Sequence, residues 1–116
     1  MDITYYNSRL DIDLDKIGEN ISKIQQYTGG LTVLPVIKSN AYGFGTSAIA
    51  NYLVQACGLR FLAVARIFEA AQIQDSGCTS PEIMILGPVP SYSIPHAVER
   101  GIQIPLFLKR DAELLS

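Results

Sequence analysis

The sequence predicts an α/β fold in which short parallel strands alternate with helices, as part of a curling (β/α)8 barrel. Four apolar segments rich in β-branched residues begin near Val33, Phe61, Ile83 and Ile104. Their starts are spaced by roughly 20 to 30 residues, the length of a strand, a crossover helix and their loops. Because the sequence has no doubly wound signature, right-handed crossovers favour a curled sheet, and the chain supplies about three and a half of eight units.

The N-terminal residues break this alternation. Met1–Ser8 is polar and aromatic, and we expect it to be loosely held. Apolar and polar residues alternate in Arg9–Leu14, which is the period of a half-exposed strand. Asp11 and Asp13 would then share one face, either as a carboxylate pair for acid–base chemistry or, in the preferred interpretation, as part of a solvated face.

The remaining elements are predicted from apolar periodicity and from the glycines and prolines that interrupt it. In chain order they are helix Asp15–Tyr27, strand Leu31–Ile37, a helix capped by Thr46 and closed by Gly58, strand Phe61–Ala65, helix Arg66–Asp75, strand Glu82–Leu86, a helix from Pro95 that stops at Gly101, strand Ile102–Leu108 and helix Arg110–Leu115. We expect the strands to be buried on both faces, as in a parallel sheet. Pro35 cannot donate to a ladder, so we expect an edge or a distorted pair there.

The composition restricts the classes of function. The chain has 116 residues, of which 48% are hydrophobic and 17% charged, as in globular rather than disordered proteins. A net charge of −2 with scattered Lys and Arg argues against a nucleic-acid surface. Met1-Asp2 is followed by no apolar h-region, and no apolar run reaches membrane-spanning length. We therefore expect a cytoplasmic protein with no nucleic-acid or membrane partner.

The cysteines and the single histidine do not predict a metal site. Cys57 and Cys78 lie far apart in the sequence, no C-x-x-C motif is present, and the only histidine is His96. Structural zinc requires a closely spaced set of thiolates and imidazoles. We predict two reduced thiols and no bound metal.

The most informative stretch is Val36–Gly45, which follows the first apolar strand. Lys38 stands at the C-terminal end of that strand, the end that carries the active site in barrels. Either it extends out of the sheet into solvent, or it is a Schiff-base lysine whose desolvated amine attacks a carbonyl. Tyr42 either binds a phosphate or substrate carboxylate or packs at the edge of the core. Gly43 and Gly45 would allow close backbone approach, although a G-x-G pattern alone is weak evidence for phosphate binding.

The contiguous string V-I-K-S-N-A-Y-G-F-G at positions 36–45 resembles the pyridoxal-phosphate attachment motif of alanine racemases. The resemblance extends over essentially the whole chain, which is similar to the N-terminal third of such an enzyme. Two residues depart from the motif, since Ser39 replaces a usual alanine and Phe44 replaces a usual histidine. Three further segments resemble the N-terminal strand and first helix, the second unit and the third unit of the family: Asp11–Asp15 with Ile17 and Asn20, Leu62–Ala65 with Glu69-Ala70, and Ile83–Gly87.

The resemblance implies a barrel that binds pyridoxal 5'-phosphate, a homodimer completed by a C-terminal β-domain, and interconversion of L- and D-alanine for peptidoglycan. Lys38 would hold the cofactor covalently and act as the base on the D-alanine side. Tyr42 would hydrogen-bond the cofactor phosphate, and Leu86 would lie beside the ring. The polar segment Leu10–Leu14 would pair with the β-domain.

The same resemblance implies that residues 1–116 form an N-terminal fragment of the barrel domain. The second base (a tyrosine of the partner subunit), the arginine facing the pyridine nitrogen and most phosphate ligands have no counterpart in the chain. We therefore expect that this chain alone does not racemise alanine at the rate of a complete enzyme. Two alternatives stay open: a racemase for serine or another amino acid on the same fold, and a non-catalytic cofactor-binding or self-assembling module. The unpaired edges of the predicted strands lead us to expect a homo-oligomer.

Overall fold

The computed structural model describes residues 7–116, so most of the predicted loose segment Met1–Ser8 lies outside the described residues. The described part is an α/β fold whose helices pack on a small parallel sheet. In chain order the elements are helix α1 (Leu14–Tyr27), helix α2 (Thr46–Gln55), strand β1 (Phe61–Val64), helix α3 (Ile67–Asp75), strand β2 (Glu82–Ile85), a 3-10 turn (Ser91–Ser93), helix α4 (Ile94–Glu99) and helix α5 (Lys109–Leu115). A left-handed turn, Lys38–Tyr42, lies between α1 and α2.

The sheet has the order that consecutive βα units predict. Strands β1 and β2 pair in parallel, from Phe61 opposite Glu82 to Val64 opposite Ile85. Single parallel bridges extend the sheet on both sides, with Val36 beside β1 at Ala63 and Gln103 beside β2 at Met84. Each segment therefore lies next to the one that precedes it in the chain.

The two outer strands predicted at Leu31–Ile37 and Ile102–Leu108 are not formed as strands, and each is reduced to one bridging residue. Pro35 and Pro105 lack the N–H group that a continuous ladder requires, although the carbonyl of Pro35 still accepts a bond from Ala63 at 2.9 Å. Among the described residues, each of these segments pairs with a strand on one side only. No second strand supplies hydrogen bonds in place of those that the prolines cannot donate.

The strand predicted at Arg9–Leu14 is wrong. These residues are irregular up to Asp13, and helix α1 begins at Leu14. Asp13 is the N-cap of that helix, and its carboxylate accepts the N–H of Lys16 at 3.2 Å. Asp11 instead pairs with the exposed side chain of Arg9 at 3.1 Å. The two carboxylates serve a helix cap and a surface ion pair, and the hypothesis of an acid–base pair has no structural support.

The helices follow the predicted periodicity closely. Helix α1 begins one residue earlier than predicted, and Asp15 lies in its first turn. The N-terminus of α3 is also displaced by one residue, because Arg66 is its N-cap rather than its first residue. Among residues 7–116, no helix combines the length and the apolar character needed to cross a membrane.

The core lies between the helices and one face of the sheet. Leu62 and Val64 of β1 and Ile83 and Ile85 of β2 are at most 1% exposed, and they pack with apolar residues of α2, α3 and α4. The opposite face is less covered, since Val36 is 38% exposed. The expectation of burial on both faces is confirmed for β1, in which the consecutive residues Leu62, Ala63 and Val64 are all buried. It is wrong for the segment at Val36, and Met84 of β2 is only partly buried.

Candidate functional site

Lys38 lies where the first extended segment stops. Ile37 donates its N–H to the carbonyl of Ala63 at 2.9 Å, which is the last ladder bond of this segment. The backbone then turns, because Ile37 has φ −123° and ψ 33°. Lys38 is half-buried and lines a cleft together with Ala65, the residue that follows β1. The structure thus places Lys38 at the C-terminal end of a parallel sheet, as the sequence predicted.

The residues after Lys38 form a turn that the sequence did not reveal. Ser39, Asn40, Ala41 and Tyr42 have φ values of 55°, 56°, 53° and 56°, a left-handed conformation that non-glycine residues rarely adopt in succession. Asparagine tolerates this region, but the other three residues give no sequence signal for it. Such strain is maintained only where surrounding contacts determine the backbone, and it is common at functional sites.

One of these contacts comes from Asn40. Its Oδ1 accepts hydrogen bonds from the N–H of Thr46 at 3.0 Å and from the Thr46 hydroxyl at 3.4 Å. Thr46 was predicted to cap helix α2, but it is the first residue of that helix, its side chain is buried, and Gly45 is the N-cap. Asn40 therefore supplies the cap and joins the left-handed turn to helix α2.

A second contact comes from Glu69, which is only 4% exposed. One carboxylate oxygen accepts the N–H of Ser39 at 2.8 Å. The other accepts the N–H groups of Ala65 at 3.3 Å and Arg66 at 3.0 Å. From the sequence, Glu69 stood out only within a segment that resembles the second unit of the family. A glutamate three residues after the N-cap of α3 is a capping signal that could have identified the local part of its role.

The cleft beside Lys38 has a volume of about 580 Å³ and is lined by both polar and apolar surface. None of the ion pairs between described residues includes Lys38, so its amine is not held by a carboxylate of residues 7–116. The residues that line the cleft come from the left-handed turn, the start of α2 and the first turns of α3: Lys38, Ser39, Asn40, Thr46, Ala65, Arg66, Phe68, Glu69 and Gln72.

Tyr42 and Leu86 are placed differently from Lys38. Tyr42 ends the left-handed turn with its side chain 62% exposed, and it is not part of the cleft lining. Leu86 directly follows β2, continues its ladder through a bond to Val64 at 2.8 Å, and is 46% exposed. All three lie at the C-terminal end of the sheet, but the structure brings neither Tyr42 nor Leu86 into the cleft with Lys38.

The groups with altered acidity lie away from this cleft. Burial raises the pKa of the Cys57 thiol, which a hydrogen bond with Tyr52 partly offsets, and burial likewise raises the pKa of Cys78. Both cysteines are free thiols, as predicted. Within the part of the chain that the structure describes, no three His, Cys, Asp or Glu side chains converge as a metal site would require.

Comparison with known proteins identifies the family. The family model described as "Alanine racemase, N-terminal domain" matches residues 12–116. The alanine racemase of Clostridium perfringens strain SM101 is 43% identical over 90 residues, which are 78% of this chain and 23% of that protein. "Alanine racemase 2" of Caldanaerobacter subterraneus subsp. tengcongensis is 36% identical over 101 residues, which are 86% of this chain and 26% of that protein.

Solved structures agree with the sequence comparison. The alanine racemase of Bacillus anthracis with bound L-Ala-P superposes with a TM-score of 0.79 at 32% identity, over 88% of this chain and 26% of that chain. The alanine racemase of Corynebacterium glutamicum gives a TM-score of 0.77 at 31% identity, over 90% of this chain and 30% of that chain. The chain thus spans about a quarter of the length of the curated relatives that it matches. It belongs to the alanine racemase N-terminal domain family.

Proposed function

We propose that this chain provides the lysine-bearing N-terminal part of a pyridoxal-phosphate-dependent alanine racemase, an isomerase that supplies D-alanine for peptidoglycan. The observation that carries the proposal is the position of Lys38. It is half-buried at the C-terminal end of a parallel sheet, in a cleft, with no carboxylate partner among residues 7–116. The relatives that support this function are named alanine racemases.

The residues present fit an aldehyde cofactor that carries a phosphate. A Schiff-base lysine needs a primary amine that no ion pair holds in the charged form, and Lys38 meets this condition among the described residues. A phosphate needs hydrogen-bond donors, and the exposed hydroxyl of Tyr42 is one. When it is bound, the cofactor supplies the electron sink that makes the α-hydrogen of an amino acid removable.

In this proposal Lys38 binds the cofactor and exchanges a proton at the substrate α-carbon on one face. Tyr42, at the other end of the left-handed turn, donates a hydrogen bond to the cofactor phosphate. The turn sets how far apart these two groups are, because its backbone is fixed by Asn40 and Glu69. Leu86, exposed at the same end of the sheet, offers an apolar surface beside the ring.

Racemisation also requires a proton donor on the opposite face of the substrate. Among residues 7–116, no tyrosine lines the cleft with Lys38. We propose that this group comes from other parts of the enzyme or from a second subunit. The 116-residue chain by itself would then not convert L-alanine to D-alanine at the rate of a complete enzyme.

The open face of the sheet supports the proposed architecture. The segments at Val36, β1, β2 and Gln103 would correspond to the strands of about three and a half units of a closed (β/α)8 barrel. Partly exposed apolar side chains such as Val36 and Leu86 would then face the barrel interior. We propose a homo-oligomer acting on a small amino acid, with a cytoplasmic location that suits two free cysteines.

The test is exchange of the α-hydrogen of alanine in deuterated water, measured by NMR with the chain and pyridoxal phosphate. We expect exchange that exceeds that of free pyridoxal phosphate and is lost in Lys38→Ala. Equal exchange rates with alanine and serine would show that the proposed substrate is a broader class of small amino acids and not alanine alone. Exchange that is the same with Lys38→Ala would contradict the proposed role of the lysine.

A further inference from the structure

The hydrogen bonds between the Val36 segment and β1 follow a regular parallel ladder and then stop. Ala63 donates to the carbonyl of Pro35 at 2.9 Å, and Ile37 donates to the carbonyl of Ala63 at 2.9 Å. In a parallel ladder the donors alternate between the two strands. The next two bonds would therefore join the N–H of Ala65 to the carbonyl of Ile37 and the N–H of Ser39 to the carbonyl of Ala65.

Both of these N–H groups are bound by Glu69 instead. Ala65 donates to one carboxylate oxygen at 3.3 Å and Ser39 donates to the other at 2.8 Å. The carbonyl of Ile37 accepts the N–H of Ala41 at 3.1 Å, which closes the left-handed turn. A side chain has thus taken the place of the two ladder bonds that would flank Lys38.

From this geometry we propose that Glu69 is a positioning residue for Lys38: its carboxylate ends the ladder and holds open the space beside the lysine. The role rests on the proposed function, in which Lys38 binds the cofactor. Before Lys38, the N–H of Ile37 is bound by Ala63 and the carbonyl of Ile37 by the N–H of Ala41. The peptide group after Lys38 is fixed by Glu69, which accepts the N–H of Ser39. The lysine backbone is therefore held from both sides, which is what a covalently bound cofactor needs to be kept in one orientation.

The donor and acceptor pattern of Glu69 makes substitutions informative. Both carboxylate oxygens of Glu69 accept hydrogen bonds from backbone N–H groups. Glutamine has only one acceptor oxygen, so in either orientation of its amide the NH₂ group would face a backbone N–H. Asp keeps two acceptors but is one methylene shorter. It can still cap α3 at Arg66, three residues away, while losing its reach to Ser39, which lies on a different element.

The experiment is amide hydrogen exchange, resolved by residue, on the 116-residue chain. In the wild type we expect Ser39, although its side chain is exposed, to have a protected amide. In Glu69→Asp and Glu69→Gln we expect its exchange to accelerate roughly 10- to 100-fold, the range for a lost bond to a charged acceptor. The amides of Leu62–Val64 in the core report global stability and should not change in Glu69→Asp. The exposed Glu99→Gln is the matched control.

Two results would overturn the positioning role. One is a Ser39 amide that exchanges freely in the wild type, a measurement that needs no variant to fold. The other is a Ser39 amide whose protection is the same in the wild type and in folded Glu69→Asp.

A second readout separates this inference from the proposed function. Trapping of pyridoxal phosphate on the chain with borohydride should be roughly 10- to 100-fold slower at Lys38 in Glu69→Asp than in the wild type, because a misplaced nucleophile reacts more slowly. If the wild type is labelled at Lys38 and the variant is labelled as fast, the positioning role fails and the proposed function stands. If Lys38 of the wild type is not labelled, the proposed function fails, and amide exchange still decides what Glu69 does to the turn.

Discussion

The Oδ1 atom of Asn40 accepts the backbone N–H of Thr46 at 3.0 Å, so a residue of the left-handed turn caps the helix that follows it. The turn carries the lysine at its other end, and the cap makes the turn and helix α2 one structural unit. Asparagine also tolerates positive φ better than most residues do, and Asn40 has φ 56°.

Asn40→Ala should therefore destabilise the fold by about 1 kcal/mol or somewhat more. The substitution removes the cap, and alanine has no side-chain hydrogen bond to offset the cost of the left-handed backbone. Urea unfolding followed by circular dichroism measures the change. Asn40→Asp keeps the acceptor and should lose less, while Asn20→Ala, on an exposed position of α1, should be nearly neutral. Equal stability of Asn40→Ala and the wild type would show that the cap contributes nothing.

The strain in the turn gives a second prediction. Ser39 has φ 55° and an exposed side chain, so Ser39→Gly should relieve the left-handed strain and raise stability by about 1 kcal/mol at most. The same change at Ser22, exposed in the interior of α1, should lower stability by roughly 0.5 kcal/mol because glycine is a poor helix former. Opposite signs for the two substitutions in urea unfolding are the expected outcome. A loss at Ser39 as large as that at Ser22 would mean that the turn is not left-handed in solution.

The cysteines give a prediction about pH. Burial raises the pKa of Cys57 and Cys78 in the folded chain above the usual 9.0, so the unfolded chain ionises first as the pH rises. Above the pH at which the unfolded thiols ionise, the unfolded state binds fewer protons than the folded state. The free energy of unfolding then falls until the folded thiols ionise as well. The double variant Cys57→Ala/Cys78→Ala should show a smaller fall of the urea midpoint between neutral and alkaline pH. A fall of the urea midpoint as large as that of the wild type would show that groups other than these thiols cause the loss of stability at alkaline pH.

Helices and the central strands could be read from the sequence because local patterns determine them. Apolar spacing gave α1 and α3 to within one residue, and β1 and β2 were recognisable as short apolar runs. The outer strands were overestimated, since one bridge each is all that Pro35 and Pro105 leave to segments with a single neighbour. The alternation in Arg9–Leu14 was a misleading signal, because a strand also needs a partner and Asp13 had a competing use as a helix cap.

The candidate site was only partly predictable for a related reason. Lys38 could be singled out because it ends an apolar run, and its position at the end of the sheet follows from that run. The left-handed turn, and the replacement of two ladder bonds by the Glu69 carboxylate, depend on contacts between residues that are distant in the sequence. The bond between Ser39 and Glu69 is one such contact, and no local pattern specifies it. Tyr42 was singled out by its position shortly after Lys38, and the resemblance added its role toward the cofactor phosphate. Its exposed position outside the cleft shows that the described residues do not by themselves bring it together with Lys38.

Peptide mapping after borohydride reduction tests whether Lys38 is the residue that binds pyridoxal phosphate. The wild-type chain, Lys38→Arg and Lys109→Arg are each incubated with pyridoxal phosphate, reduced and digested, and the pyridoxyl label is located by mass spectrometry. Lys109 is the matched control, because its side chain is 91% exposed on α5. We expect label on Lys38 in the wild type and in Lys109→Arg, and its loss in Lys38→Arg. Label spread over exposed lysines with no preference for Lys38 would show that Lys38 is not the cofactor-binding residue.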